Sequence, residues 1–141
     1  MKGRYAYETR WKYPHMLGED VPVWERFIRC FPDRFESVDY DWRVGEGTEP
    51  PADFEGSMWR MAVMISQKRI DVVGWNGDAP TIIEVKDRAS SATAGQIEGY
   101  RILWRRDFPN FGYPAVLVVC GRISQDDRVV LRARGIPLEV V

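Results

Sequence analysis

The chain has 141 residues, 45% hydrophobic and 29% charged, a balance that suits one globular domain with a core and excludes a mostly disordered chain. Twenty basic residues against twenty-one acidic ones give a net charge of −1, so a polyanion has to be met by a local patch rather than by the whole surface. Cys30 and Cys120 lie far apart without C-x-x-C spacing, which gives no basis for a zinc centre or an iron–sulfur cluster and fits a reducing compartment. No apolar run approaches the roughly eighteen residues of a membrane span, and MKGRYAYETRWKY lacks the apolar core of a secretory signal. The expectation is a cytoplasmic protein with no membrane partner.

In chain order, Asp20 is placed to cap a helix through VPVWERFIRCF, where Trp24, Phe27, Ile28 and Phe31 recur at helical spacing. ESVDYDWRV follows, and its alternating Val38, Tyr40, Trp42 and Val44 predict a strand that buries one face. Gly45 to Gly56, acidic and rich in glycine and proline, reads as a long loop. SMWRMAVMISQ fits a helix through Met58, Met61, Ala62 and Ile65.

RIDVVGW and TIIEVK then flank a turn-rich gap containing Asn-Gly, the pattern of an antiparallel hairpin. A helix over QIEGYRILWRRDF carries Ile97, Tyr100, Leu103 and Trp104 on one stripe, and PAVLVVC is an unbroken apolar run suited to a central strand. Ser124 can cap a further helix through QDDRVVLRAR, Gly135 can end it, and IPLEVV supplies a last strand.

The hairpin carries charges that a buried strand does not need. If it closes around Gly77 and Asp78, Asp71 stands opposite Glu84, and Lys86 points to the same face as Glu84. Opposed carboxylates repel unless a cation intervenes. With only oxygen donors on offer, a suitable ion is hard, Mg²⁺ or Mn²⁺, and keeps several waters. An ammonium beside it can stabilise charge developing on a phosphate. A solvated hairpin face with an ordinary ion pair is the plain alternative, but the flanking Ile82, Ile83 and Val85 argue for burial on both faces.

Asp71, the turn and Glu84-Val85-Lys86 resemble the PD-(D/E)xK nuclease superfamily, whose α-β-β-β-α-β order the predicted elements reproduce over about Asp20 to Cys120. Gln96 and Tyr100 resemble the Q-x-x-x-Y motif of its RecB-like and phage exonuclease branch. The resemblance implies an α/β, restriction-endonuclease-like fold: a central mixed sheet flanked by helices, with an added C-terminal helix and strand. It also implies a small Mg²⁺- or Mn²⁺-dependent deoxyribonuclease, from a phage or mobile element. Asp71 and Glu84 become metal ligands, Val85 lends a backbone carbonyl, and Lys86 positions the attacking water as base.

Gln96 and Tyr100 support the site or touch substrate on one helix face. Glu25 stands as the first-helix carboxylate by position alone. Ile70 precedes Asp71 where the pattern has proline. Beyond the motif, Arg101, Arg105 and Arg106 can meet phosphates, or simply suit the end of their helix. Trp59, Trp75 and Trp104 can stack on bases, although core packing is the commoner use of tryptophan.

His15 is the only histidine and lies in the unpatterned N-terminal segment, so neither a histidine-dependent triad nor a zinc centre is expected from it and two distant cysteines. DNA is the expected partner, with ends or single strands favoured and the oligomeric state open. A nuclease-derived module that binds nucleic acid or a partner protein without cutting is the alternative, and the retained Asp71, Glu84 and Lys86 weigh against it.

Overall fold

A computed structural model describes residues 1–141. Six strands form one mixed sheet in the order β1 (Tyr5–Ala6), β2 (Ser37–Val44), β3 (Lys68–Asn76), β4 (Ala79–Ala89), β5 (Ala115–Ile123) and β6 (Leu138–Val140). The first four strands pair antiparallel, and β4, β5 and β6 pair parallel. Four helices flank the sheet: α1 (Val21–Cys30), α2 (Gly56–Ser66), α3 (Ser91–Asp107) and α4 (Gln125–Ala133). This is the mixed α/β architecture that the order of elements predicts, with the crossover helix α3 joining two parallel strands.

The hairpin closes as expected. Pairs run from Asn76↔Ala79 to Val72↔Ile83, and Gly77 alone in the turn takes positive φ, at 58°, as the first central position of a type II′ turn requires. Two cores lie on the two sides of the sheet. Trp24, Phe27 and Ile28 of α1 pack on Val38, Tyr40, Val72, Ile83 and Val85. Ile97, Tyr100 and Trp104 of α3 and Leu131 of α4 pack on Val73, Trp75, Ile82 and Val118. The Trp24 indole N–H donates to the Tyr40 hydroxyl at 3.0 Å, so the polar end of a wholly buried side chain is satisfied.

Several expectations need correction. The alternation of β2 does not bury one face: Val38 and Tyr40 lie on the α1 side, while Trp42 and Val44 lie on the α3 side. The pleat breaks at Asp41, whose φ is +53°, and Asp41 is skipped in the pairing between Tyr40↔Val72 and Trp42↔Ile70. Helix α3 starts five residues before Gln96, because Ser90 and Thr93 cap it: the Ala92 N–H donates to Ser90 Oγ at 3.3 Å and the Ser90 N–H to Thr93 Oγ1 at 3.0 Å. The helix expected over Met58 to Ile65 forms as α2, yet none of its residues is buried. The N-terminal segment, patternless in sequence, contributes β1 and the buried Tyr13. Both cysteines are free, and no helix is long and apolar enough to cross a membrane.

Candidate active site

The site lies where β3 and β4 part. Strand β4 pairs with β5 from Thr81 to Ala89 but with β3 only as far as Ile83. Beyond that point the edge of β4 facing β3 has no strand partner, and its backbone groups need other ones. Carboxylates supply them. Asp71, one residue past the last pair, accepts the Val85 N–H on Oδ2 at 2.9 Å, and Asp20 accepts the Asp87 N–H on Oδ1 at 2.7 Å. The N–H and C=O of one strand residue point the same way, so the Val85 carbonyl also faces the opening beside Asp71.

Glu84 projects towards α3. It is 1% exposed, within hydrogen-bonding reach of Asp71, and tied to Lys86 with Nζ 3.2 Å from Oε1. Its other oxygen, Oε2, is buried and has no hydrogen-bond donor. Burial first, and then the Asp71 charge, push the Glu84 carboxyl up to about 9, against the pull of Lys86. Asp71 is raised for the same leading reason, burial, opposed by the Val85 N–H and by Lys86. Without a cation the pair therefore holds a proton at neutral pH.

Burial disfavours the Lys86 charge, but Glu84, Asp71 and Asp20 around it outweigh that effect and raise it. Lys86 is thus an ammonium, a donor and a fixed positive charge. Gln96 donates from Nε2 to the Tyr100 hydroxyl at 3.0 Å. Burial raises Tyr100, and the charges of Glu84 and Asp71 add to it. The Q-x-x-x-Y pair accordingly braces the α3 wall of the site, with Tyr100 as a neutral phenol.

Of the residues expected from sequence, Asp71, Glu84, Val85, Lys86, Gln96 and Tyr100 come together. Glu25 does not join them: its Oε2 accepts the Tyr13 hydroxyl at 3.1 Å. The carboxylate at the start of α1 that does reach β4 is Asp20, 5% exposed. Asp20 sits at the N-cap of α1 without capping it, because its side chain is committed to β4. The signal for it was the acidic residue before Val-Pro, which local reasoning assigns to capping. Arg105 lies over the Tyr113 ring at 4.6 Å and Arg106 pairs with Asp107 at 2.8 Å, while Arg101 is one turn before Arg105 on the same flank. Trp75 and Trp104 are core residues with no base-stacking surface. No group of three His, Cys, Asp or Glu side chains is placed to hold a metal ion.

No protein-family model matches the sequence, and no curated protein matches it. The crystal structure of a repair endonuclease from Pyrococcus abyssi is similar with a TM-score of 0.51 at 14% identity, over 94% of this chain and 49% of that one. An EndoMS–dsDNA2 complex is similar with a TM-score of 0.49 at 12% identity, over 94% and 48%. This chain spans about half the length of each. The likeness to the repair endonuclease is one of fold: the mixed sheet and its flanking helices are shared.

Proposed function

We propose that the chain is a nuclease that hydrolyses DNA phosphodiester bonds with Mg²⁺ or Mn²⁺. One observation carries the reading: a buried carboxylate, Glu84, and a half-buried one, Asp71, crowd together at an open strand edge, one Glu84 oxygen has no donor, and a lysine ammonium stands beside them. Buried like charges cost stability, and such a cost persists where function requires it. The donor set is carboxylate and carbonyl oxygen only, which fits a hard divalent cation that keeps several waters.

In this reading Asp71, Glu84 and the Val85 carbonyl would hold the ion, which when bound would polarise the scissile phosphate and acidify a water. Lys86, a cation 3.2 Å from Glu84, donates to the attacking water and offsets the negative charge that grows on the phosphate. Asp20 holds the β4 edge in place through Asp87. Tyr100 and Gln96 fix the wall against which Glu84 rests.

The direct test is a screen of labelled linear, nicked, forked and single-stranded DNA with Mg²⁺ or Mn²⁺. Cleavage by the wild type, lost in Lys86→Ala with Mn²⁺ binding retained, is the expected result. No cleavage of any substrate, together with equal Mn²⁺ binding by wild type and Asp71→Asn, would leave a non-catalytic binding module instead.

A further inference from the structure

Trp11 is 101% exposed, a whole indole held in water. No packing role accounts for it, yet the segment that bears it is pinned. The Arg10 N–H donates to the Tyr13 hydroxyl at 2.8 Å, and Tyr13 is buried edge-on against Tyr40, centroids 5.5 Å apart. The Arg10 guanidinium lies 4.4 Å over the Tyr5 ring. At the far end His15 accepts a hydrogen bond on Nδ1 from Arg69 at 2.7 Å, which leaves its proton on Nε2, 3.6 Å from Asp41. The indole is therefore presented on a fixed backbone, with the exposed Arg10 and Lys12 on either side.

The same segment borders an open cleft of about 570 Å³, lined by Tyr5, Arg10, Lys12, Pro14 and His15. The basic line continues from His15 to Arg69 and Arg43, which pair with Asp41 at 3.6 and 3.8 Å. Four cations, Arg10, Lys12, Arg43 and Arg69, stand along this path against Asp41 and Glu25. On a chain of net charge −1 that is a local positive patch. It also leads somewhere: Asp41 occupies the position opposite Asp71 between the pairs Tyr40↔Val72 and Trp42↔Ile70, and neighbouring strands lie only about 4.8 Å apart.

We propose that Arg10–His15 is a platform for a single-stranded stretch of DNA, with one base stacked on Trp11. Phosphates are met by Arg10, Lys12 and Arg69, and the strand is led along β2 to the Asp71–Glu84 pair. The identity of the ligand rests on the nuclease reading above. Single strands are specified because a base presents its π-face to an indole only when it is unstacked, whereas duplex DNA offers phosphates alone to this surface.

The test is fluorescence anisotropy of the full chain in EDTA, so that nothing is cut, with labelled oligo-dT and a duplex of equal length. Trp11→Ala should weaken oligo-dT binding by about tenfold and leave duplex binding within about threefold, while Trp11→Phe retains most of the affinity. Arg10→Ala should lower the salt dependence by about 0.7 in log–log slope, one phosphate contact on a single strand.

The proposal is overturned if Trp11→Ala binds oligo-dT like wild type, if wild type binds no oligo-dT, or if both ligands weaken equally. Cleavage separates the two ideas. A wild type that cuts nothing but loses single-strand affinity in Trp11→Ala keeps the platform and loses the nuclease. One that cuts DNA while Trp11→Ala binds unchanged keeps the nuclease and loses the platform.

Discussion

Asp71→Asn separates the cost of the carboxylate pair from its use. Asparagine keeps an oxygen for the Val85 N–H, which Asp71 accepts at 2.9 Å, removes one negative charge, and offers an amide N–H to the orphaned Glu84 Oε2. The folded protein holds the Glu84 proton up to about pH 9, against 4.5 for the ordinary carboxyl. A raised folded pKa means stability is full below about 4.5 and falls as pH climbs towards 9. The whole displacement corresponds to about 6 kcal/mol of lost apo stability. Burial is the larger cause and survives in the variant, so removing the Asp71 charge should return less than half, about 2 kcal/mol at pH 8.

For a chain of this size that is a rise of about 4–8 °C in Tm, measured by calorimetry in EDTA, shrinking to nothing near pH 4.5. Mn²⁺ should then raise the Tm of the wild type and not that of the variant. Asp71→Ala is the control: the unpaired Val85 N–H costs about 1–3 kcal/mol and offsets the electrostatic gain. An Asp71→Asn protein less stable than wild type at pH 8, or a difference that does not depend on pH, refutes the reasoning.

Lys86→Ala should keep Mn²⁺ affinity by titration calorimetry but lose cleavage, and the stability lost by its apo form should grow as pH climbs past about 9, where Glu84 ionises without its 3.2 Å cation. Mn²⁺ binding at pH 7 should release about one proton, read as a dependence of the binding enthalpy on the ionisation enthalpy of the buffer. Asp20→Ala should cost about 1–3 kcal/mol by orphaning the Asp87 N–H and should weaken cleavage, with Asp20→Asn restoring stability. Glu25→Gln should leave Mn²⁺ binding and cleavage at wild-type levels, since Glu25 bonds Tyr13 instead.

The hairpin was legible because its register follows from a two-residue turn and a period of two: every observed pair from Val72↔Ile83 to Asn76↔Ala79 obeys it. Glu84 and Lys86 were legible because charges in an apolar strand contradict their surroundings. Asp20 was not, because an aspartate before a helix has a sufficient local explanation, and its bond to the Asp87 N–H spans 67 positions of chain. The face switch of β2 was hidden because Asp41 takes a left-handed backbone that no periodicity encodes. α2 misled in the opposite sense: its apolar residues repeat as a core stripe does, but Met58, Met61 and Ile65 are each about 60% exposed. Trp11 carries no signal of its own, since sequence alone does not separate an exposed indole from a buried one.

The position of the site follows from sheet topology. A strand that is antiparallel to one neighbour and parallel to the other must feed a hairpin at one end and a crossover at the other. β4 does both, and at eleven residues it outruns the five that pair with β3. The surplus leaves alternate N–H groups at Val85 and Asp87 facing a gap. Filling that gap with apolar side chains would strand them at a cost of about 1–3 kcal/mol each, whereas carboxylates accept them and bring negative charge to one place. The same bonds that satisfy the edge therefore assemble the anionic pocket, and the repulsion they create is relieved by Lys86 in the free protein and, in the proposed reaction, by the divalent ion. Under the proposed function a stability optimum and a cation site compete for the same two side chains, which is why the apo protein should become more stable when Asp71 loses its charge and inactive for the same reason.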